Sequence, residues 1–332
     1  MDERAKVGTI PTREQLEGAA CWEANDQIAG RPEMTAFRRR TRYQQATWRE
    51  ANQFPIGSQP IAPKPGTRPI RPVGSRLQLD FAHSTGANFV TAEARHAANV
   101  RGSYIERHQS VDRQGLWVDL LSSLALAFNL FGDLACDFAM ADRALNTWFP
   151  DTPGRVSSVR FAHSPGWLDP AYLNSLRSFD TVFATDIDDG THGIVAVAVL
   201  FHERNKPETP RPDNLDHYSA IAERSRIFVP GAIDQLRQRG DLCVLWLQHL
   251  LLLSMLQHAS GTWSWGRLLV VHPEGNIDAA DACHRYHRML ANDTTFSSMT
   301  LEQLLATDTL PASTTATLRN RYSPDALPGC RS

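Results

Sequence analysis

Three segments near the middle of the chain alternate between apolar and polar residues, which is the pattern of half-buried β-strands. The first is "RVSSVRFAH", and the next two lie within "SFDTVFATDIDDGTHGIVAVAVLFHE". An Asp- and Gly-rich stretch separates the two apolar runs of the second string and predicts a hairpin turn. A fourth short strand is predicted at "GRLLVVHP". The pattern therefore predicts a sheet that begins with three consecutive strands.

Apolar residues at helical spacing lie on both sides of these strands along the chain. The string "LWVDLLSSLALAFNLFGDLACDFAMADRALNTWF" precedes them, and Gly132 is expected to divide it into two helices. Helices are also predicted between the third and fourth strands, at "NLDHYSAIAERSRIF", "IDQLRQRG" and "CVLWLQHLLLLSMLQ", and after the fourth strand, at "IDAADACHRYHRML" and "TLEQLLATD". This order of elements predicts an α/β fold.

The composition fits one elaborated soluble domain, with 332 residues of which 42% are hydrophobic and 21% charged. The longest apolar run, at residues 243–257, is too short and too interrupted to span a bilayer. The first residues lack the apolar region of a signal peptide. Five scattered cysteines without a CxxC pair predict neither a zinc ribbon nor a disulfide framework. We therefore expect a cytoplasmic protein without a membrane partner.

The N-terminal third differs from the rest of the chain in its charge. We expect residues 1–34 to form a polar arm, residues 35–115 a basic, Pro-rich elaboration packed on the core, and residues 116–325 the core with C-terminal helices. Ten Lys or Arg and two acidic residues lie within residues 31–76, although the whole chain has a net charge of −2. The string "FRRRTRYQQATWRE" supplies half of the basic set: Arg38, Arg39, Arg40, Arg42 and Arg49. These arginines predict either a solvated helical face or a surface for nucleic acid or an acidic partner.

Several strings, in their common order, resemble the PD-(D/E)XK, or restriction-endonuclease-like, superfamily, and more closely a bacterial family of uncharacterised nuclease-like proteins within it. They include "LLSSLALAFNLFG", "VRFAHSPGW", "SFDTVFATDIDDGTHGIVAVAVLFHE" and "HRMLANDTTFSSMTLEQLL". The resemblance covers roughly residues 35–325. It implies an α-β-β-β-α-β core, in which helices flank a mixed sheet, with N-terminal and C-terminal helical elaborations.

Members with an intact site resemble "LLSSQ" in the first helix, "FEHSPGR" in the first strand and loop, "FD" in the second strand and "GIEVKYHE" in the third. On these motifs the Asp is retained as Asp180. The Gln position is Leu124, the Glu of the first strand is Ala162 and the Arg after the loop is Trp167. The Glu and Lys of the third strand are Ala198 and Leu200, and an Arg in the later "WRDHLLA" pattern is Leu247.

The chemistry of an intact site shows what these replacements imply. Phosphodiester hydrolysis by this fold uses a divalent cation held by carboxylates and a Lys that stabilises charge at the attacked phosphate. Asp180 alone is a poor Mg²⁺ site, so no catalytic residue and no metal site is predicted from the motif. Because residues two apart on a strand share a face, His202 is expected near Asp180 and Glu203 on the opposite face.

The resemblance leads to three hypotheses. The first is a pseudonuclease rather than an enzyme, which binds DNA, RNA or a nucleoprotein through the five arginines as a subunit of a bacterial assembly, such as a defence or mobile-element system. The second is a protein–protein scaffold or regulator without nucleic-acid contact, which the net charge of −2 favours. The third is a metal-dependent nuclease with a site rebuilt from Asp180, His202 and Glu203, and this hypothesis alone requires a cofactor, Mg²⁺.

Overall fold

Seven strands form two β-sheets in the part of the chain that the computed structural model describes, which comprises residues 10–58, 71–104, 106–109, 111–203, 208–238 and 240–323. The strands are β1 (Ile56–Ser58), β2 (Pro72–Leu77), β3 (Arg155–His163), β4 (Phe179–Asp186), β5 (His192–Val199), β6 (Trp263–His272) and β7 (Phe296–Thr300). β1 and β2 pair antiparallel in a small sheet, and the other five strands form the central sheet.

The central sheet is mixed, with the spatial order β3-β4-β5-β6-β7. β4 runs antiparallel to both β3 and β5, whereas β6 lies parallel to β5 and β7 lies parallel to β6. The predicted mixed sheet of three consecutive strands followed by helices and a fourth strand is confirmed. β7 is a fifth strand that the hydrophobic pattern did not predict.

Thirteen α-helices occur within the described residues. They are α1 (Arg13–Gly18), α2 (Pro32–Ala51), α3 (Leu79–Thr85), α4 (Ala92–Ser103), α5 (Arg113–Val118), α6 (Ser123–Cys136), α7 (Phe138–Trp148), α8 (Leu215–Ser225), α9 (Ala232–Gln238), α10 (Cys243–Leu256), α11 (Ile277–His287), α12 (Leu301–Leu305) and α13 (Ala312–Tyr322).

Helices cover both faces of the central sheet, because the central strand β5 is apolar at almost every position and is buried on both sides. One face packs on α6 and α7, where Phe131 of α6 meets Phe183 of β4 edge to face at a centroid distance of 5.6 Å. The opposite face packs on α8 and α10, where Trp246 joins Val182 of β4 in a second apolar cluster. The sheet therefore separates two cores.

The long helical segment breaks at Asp137, so the prediction of a break at Gly132 is wrong. Asp137 lies between α6 and α7, and its side chain accepts a hydrogen bond of 2.9 Å from the Met140 N–H, as an N-cap does. Gly132 instead lies inside α6 against α4, where a Cβ would overlap with the backbone of Ala94. This glycine allows a close helix crossing and does not interrupt the helix.

The N-terminal region is built around α2, which packs against β2 and α13. Helix α1 begins at a capping box between Thr12 and Gln15, and Leu16 is buried with Ala46 of α2. The described part of the predicted polar arm is therefore packed on the neighbouring helix. The middle of the Pro-rich stretch, residues 59–70, lies outside the described residues, and its ends form β1 and β2.

Among the described residues, no single helix has both the length and the apolar composition needed to cross a membrane. Two bent helix pairs meet that test only when their members are counted together, α6 with α7 and the 232–238 helix with the segment at 240–256. The cytoplasmic location stays a prediction.

Candidate functional site

Asp180 lies at the point where β4 and β5 separate. The last pair of the ladder is Thr181 opposite Val197, and Asp180 and Ala198 follow on the two strands. The Val199 N–H donates a hydrogen bond of 2.7 Å to Asp180 Oδ2, so a side-chain oxygen takes the place of a strand carbonyl. The predicted placement of Asp180 and Ala198 on adjacent strands is confirmed.

The surroundings of Asp180 disfavour its charged form. Burial of the carboxyl is the largest cause and raises the pKa of Asp180 to about 7. This value includes two smaller effects, namely the hydrogen bond from Val199, which lowers the pKa, and the nearby carboxylate of Glu203, which raises it. Asp180 therefore changes between its neutral and charged forms near neutral pH.

A cavity of about 380 Å³ opens beside Asp180. It brings together three predicted motif positions from three elements, namely Leu124 of α6, Ala162 of β3 and Asp180 of β4. The remaining lining residues are Val111, Asp112, Gly115, Asp119, Leu121, Ser122, Ser123, Ser178 and Glu203. The fold thus places part of the motif around one polar cavity.

Glu203 lines the same cavity, so the prediction that it points away from Asp180 is wrong. Alternation along β5 ends at Val199, and the chain has left the strand by residue 203. Ser123 Oγ donates a hydrogen bond to Glu203 Oε1 and accepts one of 3.0 Å from the Phe201 N–H. Glu203 is an exposed residue, but desolvation of its carboxyl raises its pKa, and the hydrogen bond from Ser123 opposes this rise.

His202 does not line this cavity, and its ring lies instead against Arg38 and Asp26, so the prediction that it lies near Asp180 is also wrong. Its Nε2 is 3.3 Å from the carbonyl oxygen of Arg38 and 3.8 Å from Asp26 Oδ1. The pKa of His202 is lowered to about 3, mainly by burial and then by the charges of Arg42 and Arg38. The neutral ring donates to a backbone carbonyl, and the three groups of the rebuilt site do not converge.

Three motif positions belong to the apolar cluster between the sheet and α10. Ala198 and Leu247 are each 4% exposed in this cluster, and the partly buried Leu200 packs against it. The resemblance described above predicts Glu, Arg and Lys at these positions in an intact member, as the metal ligand and the cations of the motif. In this chain they supply only apolar atoms, and they are absent from the lining of the Asp180 cavity.

The first-strand motif departs from regular β-strand geometry at Ala162. Ala162 has a positive φ of 45°, a conformation that costs an Ala roughly 1–2 kcal/mol. Arg101 stabilises this backbone conformation by donating hydrogen bonds to the carbonyl oxygens of Phe161 at 2.8 Å and of Ala162 at 3.0 Å. Trp167 donates through Nε1 to Glu106 Oε2 at 2.5 Å, and the same carboxylate pairs with Arg101. The Ala162 and Trp167 positions are therefore tied to the 101–109 segment.

Two of the predicted phosphate-binding arginines pair with a carboxylate that sequence reasoning missed. Asp26 is 1% exposed and accepts hydrogen bonds from Arg42 Nε at 2.5 Å and from Arg38 Nε at 3.2 Å. Arg38 also donates to the carbonyl oxygen of His202 at 2.5 Å. The guanidinium groups lower the pKa of Asp26 despite its burial, so this carboxylate stays ionised.

The other arginines of α2 also lie within the fold. Arg49 is buried and donates to the carbonyl oxygens of Gly74 and Phe54, each at 2.9 Å. Arg39 stacks on the Trp22 ring at 4.7 Å, and partial burial lowers the pKa of Arg40. The expectation of a solvated helical face is therefore wrong, while contact with phosphate stays a prediction.

A second cavity, of about 720 Å³, adjoins the first and shares Asp119, Leu121 and Glu203 with it. Its other lining residues are Glu23, Ala24, Asn25, Gln27, Arg38, Arg42, Val73, Ser75, Arg76 and His202. Arg76 has a buried Nε without a hydrogen-bond partner in the described part of the chain, and its charge acts on Asp119. The two cavities together form one cleft: the cavity beside Asp180 is lined by carboxylates and no arginine, whereas the larger one is lined by both carboxylates and guanidinium groups.

The divalent cation of an intact site does not fit the residues present. Within the described ranges, no group of three or more His, Cys, Asp or Glu residues is arranged to hold a metal ion. Asp180 and Glu203 share a cavity, but Ala198 offers no oxygen where an intact site has a carboxylate. Mg²⁺ depends on such hard oxygen ligands.

The mixed sheet between two helical layers, with a carboxylate where β4 and β5 separate, defines an α/β protein of the restriction-endonuclease-like class. The chain belongs to the PD-(D/E)XK nuclease superfamily, because the family model of that description matches residues 32–324. Comparisons with curated proteins and with solved structures gave no match.

Proposed function

We propose that this protein is a catalytically inactive member of its superfamily that uses the nuclease-like cleft to bind nucleic acid or a nucleoprotein. Its setting would be a larger bacterial assembly, such as a defence or mobile-element system. Membership of a nuclease superfamily supports a nucleic-acid ligand. The cleft beside Asp180 supplies a site of suitable position, and Arg76 lies in the lining of its larger cavity.

The observation that carries the inactivity is the apolar cluster around Ala198, Leu200 and Leu247. Hydrolysis of a phosphodiester needs a bound cation to activate water and to stabilise the charge that develops on the phosphate. These side chains can neither bind a metal nor supply a positive charge. Asp180 remains as a carboxyl that is hydrogen-bonded to the backbone of β5.

We expect the purified protein to leave plasmid DNA and single-stranded RNA intact in the presence of either Mg²⁺ or Mn²⁺. The motif positions that would hold the metal are apolar. The measurement is gel analysis after prolonged incubation at equimolar protein, with a parallel Asp180→Asn preparation as the control for contaminating nuclease. Cutting by wild type that is lost in Asp180→Asn would instead support a site rebuilt around Asp180 and Glu203.

For binding, we expect Arg76→Ala to weaken the affinity for unrelated oligonucleotides by a similar factor, because a phosphate contact does not read sequence. The magnitude of the slope of log affinity against log salt should fall by about one, as expected for one lost contact. Fluorescence anisotropy with duplex and single-stranded oligonucleotides at a series of salt concentrations measures both quantities. Arg143→Ala, an exposed position on α7, is the matched control.

The scaffold hypothesis keeps one observation in its favour. Arg38 and Arg42 both pair with Asp26, whose single negative charge offsets one of their two positive charges and engages both side chains that the sequence offered to phosphate. If wild type binds neither oligonucleotide at low salt, a protein partner without nucleic acid becomes the better proposal. Equal salt slopes for wild type and Arg76→Ala would place any binding outside the cleft.

A further inference from the structure

A third cavity, of about 720 Å³, lies between α4, the end of α6 and the edge strand β3, and it shares no lining residue with the Asp180 cleft. Its volume falls within the range of ligand-binding clefts. The lining residues are His96, Ala97, Val100, Arg101, Tyr104, Glu106, Ala135, Cys136, Val159, Arg160, Phe161 and His163. We call this cavity the β3–α4 groove.

One wall of the groove is the open edge of the central sheet. β3 is an outer strand of the five, so the backbone groups on its far side have no neighbouring strand. Among the described strands, β3 pairs only with β4, so its other edge is open to a further strand. Arg101 of α4 lies beside β3 and donates hydrogen bonds to the carbonyl oxygens of Phe161 at 2.8 Å and of Ala162 at 3.0 Å.

The groove is also apolar where a bound chain would place side chains. Val100 and Tyr104 are 57% and 60% exposed, which is unusual for large apolar and aromatic side chains that lie close together. Ala97 of α4 and Ala135 of α6 complete the apolar lining and leave the space open. An open strand edge beside exposed apolar side chains is the arrangement to which an extended peptide adds as a further strand.

The charge of the groove is positive. Arg101 and Arg160 both act on His163, whose pKa is lowered to about 4, mainly by burial and then by these two cations. The carboxylate of Glu106 is engaged by Arg101 and Trp167. Arg160 is exposed and forms no ion pair within the described residues. A carboxylate on the occupant would complement this field.

We propose that the β3–α4 groove binds an extended, apolar and acidic segment of a partner protein, which adds as a strand to the edge of β3. Its apolar side chains lie against Val100 and Tyr104, and its acidic side chain lies near Arg160. The site is separate from the Asp180 cleft, so this inference goes beyond the proposed function. It gives the protein a place to attach to an assembly while the cleft stays open.

Peptides that bind the full-length protein are selected from a phage-displayed library of random twelve-residue sequences. The selected peptide family is then used as the probe. We expect enrichment of sequences that combine apolar and acidic residues. Affinity of the synthetic peptide should fall at least about fivefold in Arg160→Glu and in Val100→Asp, both at exposed positions. Arg155→Glu, an exposed arginine of β3 that does not line the groove, should leave affinity unchanged.

Cys136 provides a second readout, because it lines the groove and is exposed, whereas Cys21, Cys243 and Cys283 are buried. In a Cys330→Ser background, bound peptide should slow alkylation of Cys136 by maleimide at least about fivefold. Methylation of the peptide backbone nitrogens that pair with β3 should abolish this protection, since strand addition depends on those N–H groups.

The proposal is overturned if no peptide is enriched, or if the selected peptides bind Arg160→Glu and Val100→Asp as tightly as wild type. It is also overturned if peptides bind as helices and tolerate backbone methylation, because the open strand edge would then have no role. Oligonucleotides that protect Cys136 would assign the groove to nucleic acid instead. These outcomes are independent of the cleavage and Arg76 measurements, so failure here leaves the proposed function untouched.

Discussion

Introducing Glu at Ala198 and Lys at Leu200 together should destabilise the protein by roughly 4 kcal/mol and should not produce a nuclease. The two changes return the third-strand motif to the residues of intact members. Ala198, however, is 4% exposed in a cluster with Trp246 and Leu247, and that cluster is packed for a methyl group. The larger side chain costs about 1–3 kcal/mol in overpacking. The charge adds a desolvation cost that a neighbouring Lys offsets only in part.

Activity should stay absent because the third-strand motif is only one part of an intact site. Leu124 and Ala162 still line the cavity as apolar side chains, and Trp167 still occupies an Arg position, bonded to Glu106. Urea unfolding gives the change in stability, and the plasmid assay with Mg²⁺ gives the activity. The double variant Ala198→Gln with Leu200→Met has similar volume without charge, so its difference from the Glu and Lys variant measures the electrostatic part.

A double variant as stable as wild type would mean that the region around Ala198 opens to water, contrary to the packing of the apolar cluster. A stable double variant that cuts DNA would show that these two substitutions are sufficient to give this chain nuclease activity. In that case Leu124, Ala162 and Trp167 would be neutral replacements, and the expectation that they also prevent activity would be wrong.

The sequence was sufficient to predict β4, which contains Asp180, and its neighbour β5, because the apolar residues of both strands indicate burial directly. β4 and β5 alternate or run apolar over eight residues each, so both the strands and their antiparallel pairing follow from the hairpin between them. β7 could not be found in this way. Its five residues, "FSSMT", contain one fully buried side chain, Phe296, and it forms only when the parallel neighbour β6 is in place.

The parts of the site that were missed depend on contacts between distant residues. Asp26 is one acidic residue in a polar arm, and nothing in its local sequence shows that it accepts hydrogen bonds from Arg38 and Arg42 of another element. Glu203 was assigned to the wrong side because alternation holds only inside a strand, and β5 ends four residues earlier. His202 was misplaced for the same reason, and Arg38 of α2 then fixes its position.

Replacing Asp180 by Asn should stabilise the protein above neutral pH and have little effect at pH 4. The pKa of Asp180 is raised from 3.8 to about 7 in the folded protein, mainly by burial. A carboxyl with a raised folded-state pKa contributes stability that is fully present below its unfolded-state pKa and is lost as the pH rises through its folded-state pKa. At about 1.4 kcal/mol for each pH unit, wild type loses roughly 4 kcal/mol at most between pH 4 and pH 8.

Asn keeps the neutral shape of the protonated carboxyl at every pH, and its Oδ1 can accept the Val199 hydrogen bond. We therefore expect the stability difference between Asp180→Asn and wild type to be near zero at pH 4 and to reach roughly 2–4 kcal/mol in favour of Asn at pH 8. Urea unfolding at half-unit pH intervals gives this difference directly. Asp189→Asn is the control, since that exposed carboxyl has a lowered pKa and its substitution should give a flat difference over the same range.

Repeating the urea unfolding series over pH with Mg²⁺ present distinguishes a carboxyl that is only structural from one that still binds a metal ion. A metal ligand is stabilised by its cation in the charged form, so Asn would then destabilise the protein at pH 8 when Mg²⁺ is added. A carboxyl left in place by the fold has no such dependence, and Mg²⁺ should not change the stability difference. A reversal of sign with Mg²⁺ would show that Asp180 still binds a cation and would return the rebuilt nuclease to first place among the hypotheses. An unchanged difference would indicate that Asp180 is a buried structural carboxyl whose ionisation destabilises the protein. Its role would then be to accept the Val199 hydrogen bond, which links β4 and β5 just beyond the last pair of their ladder.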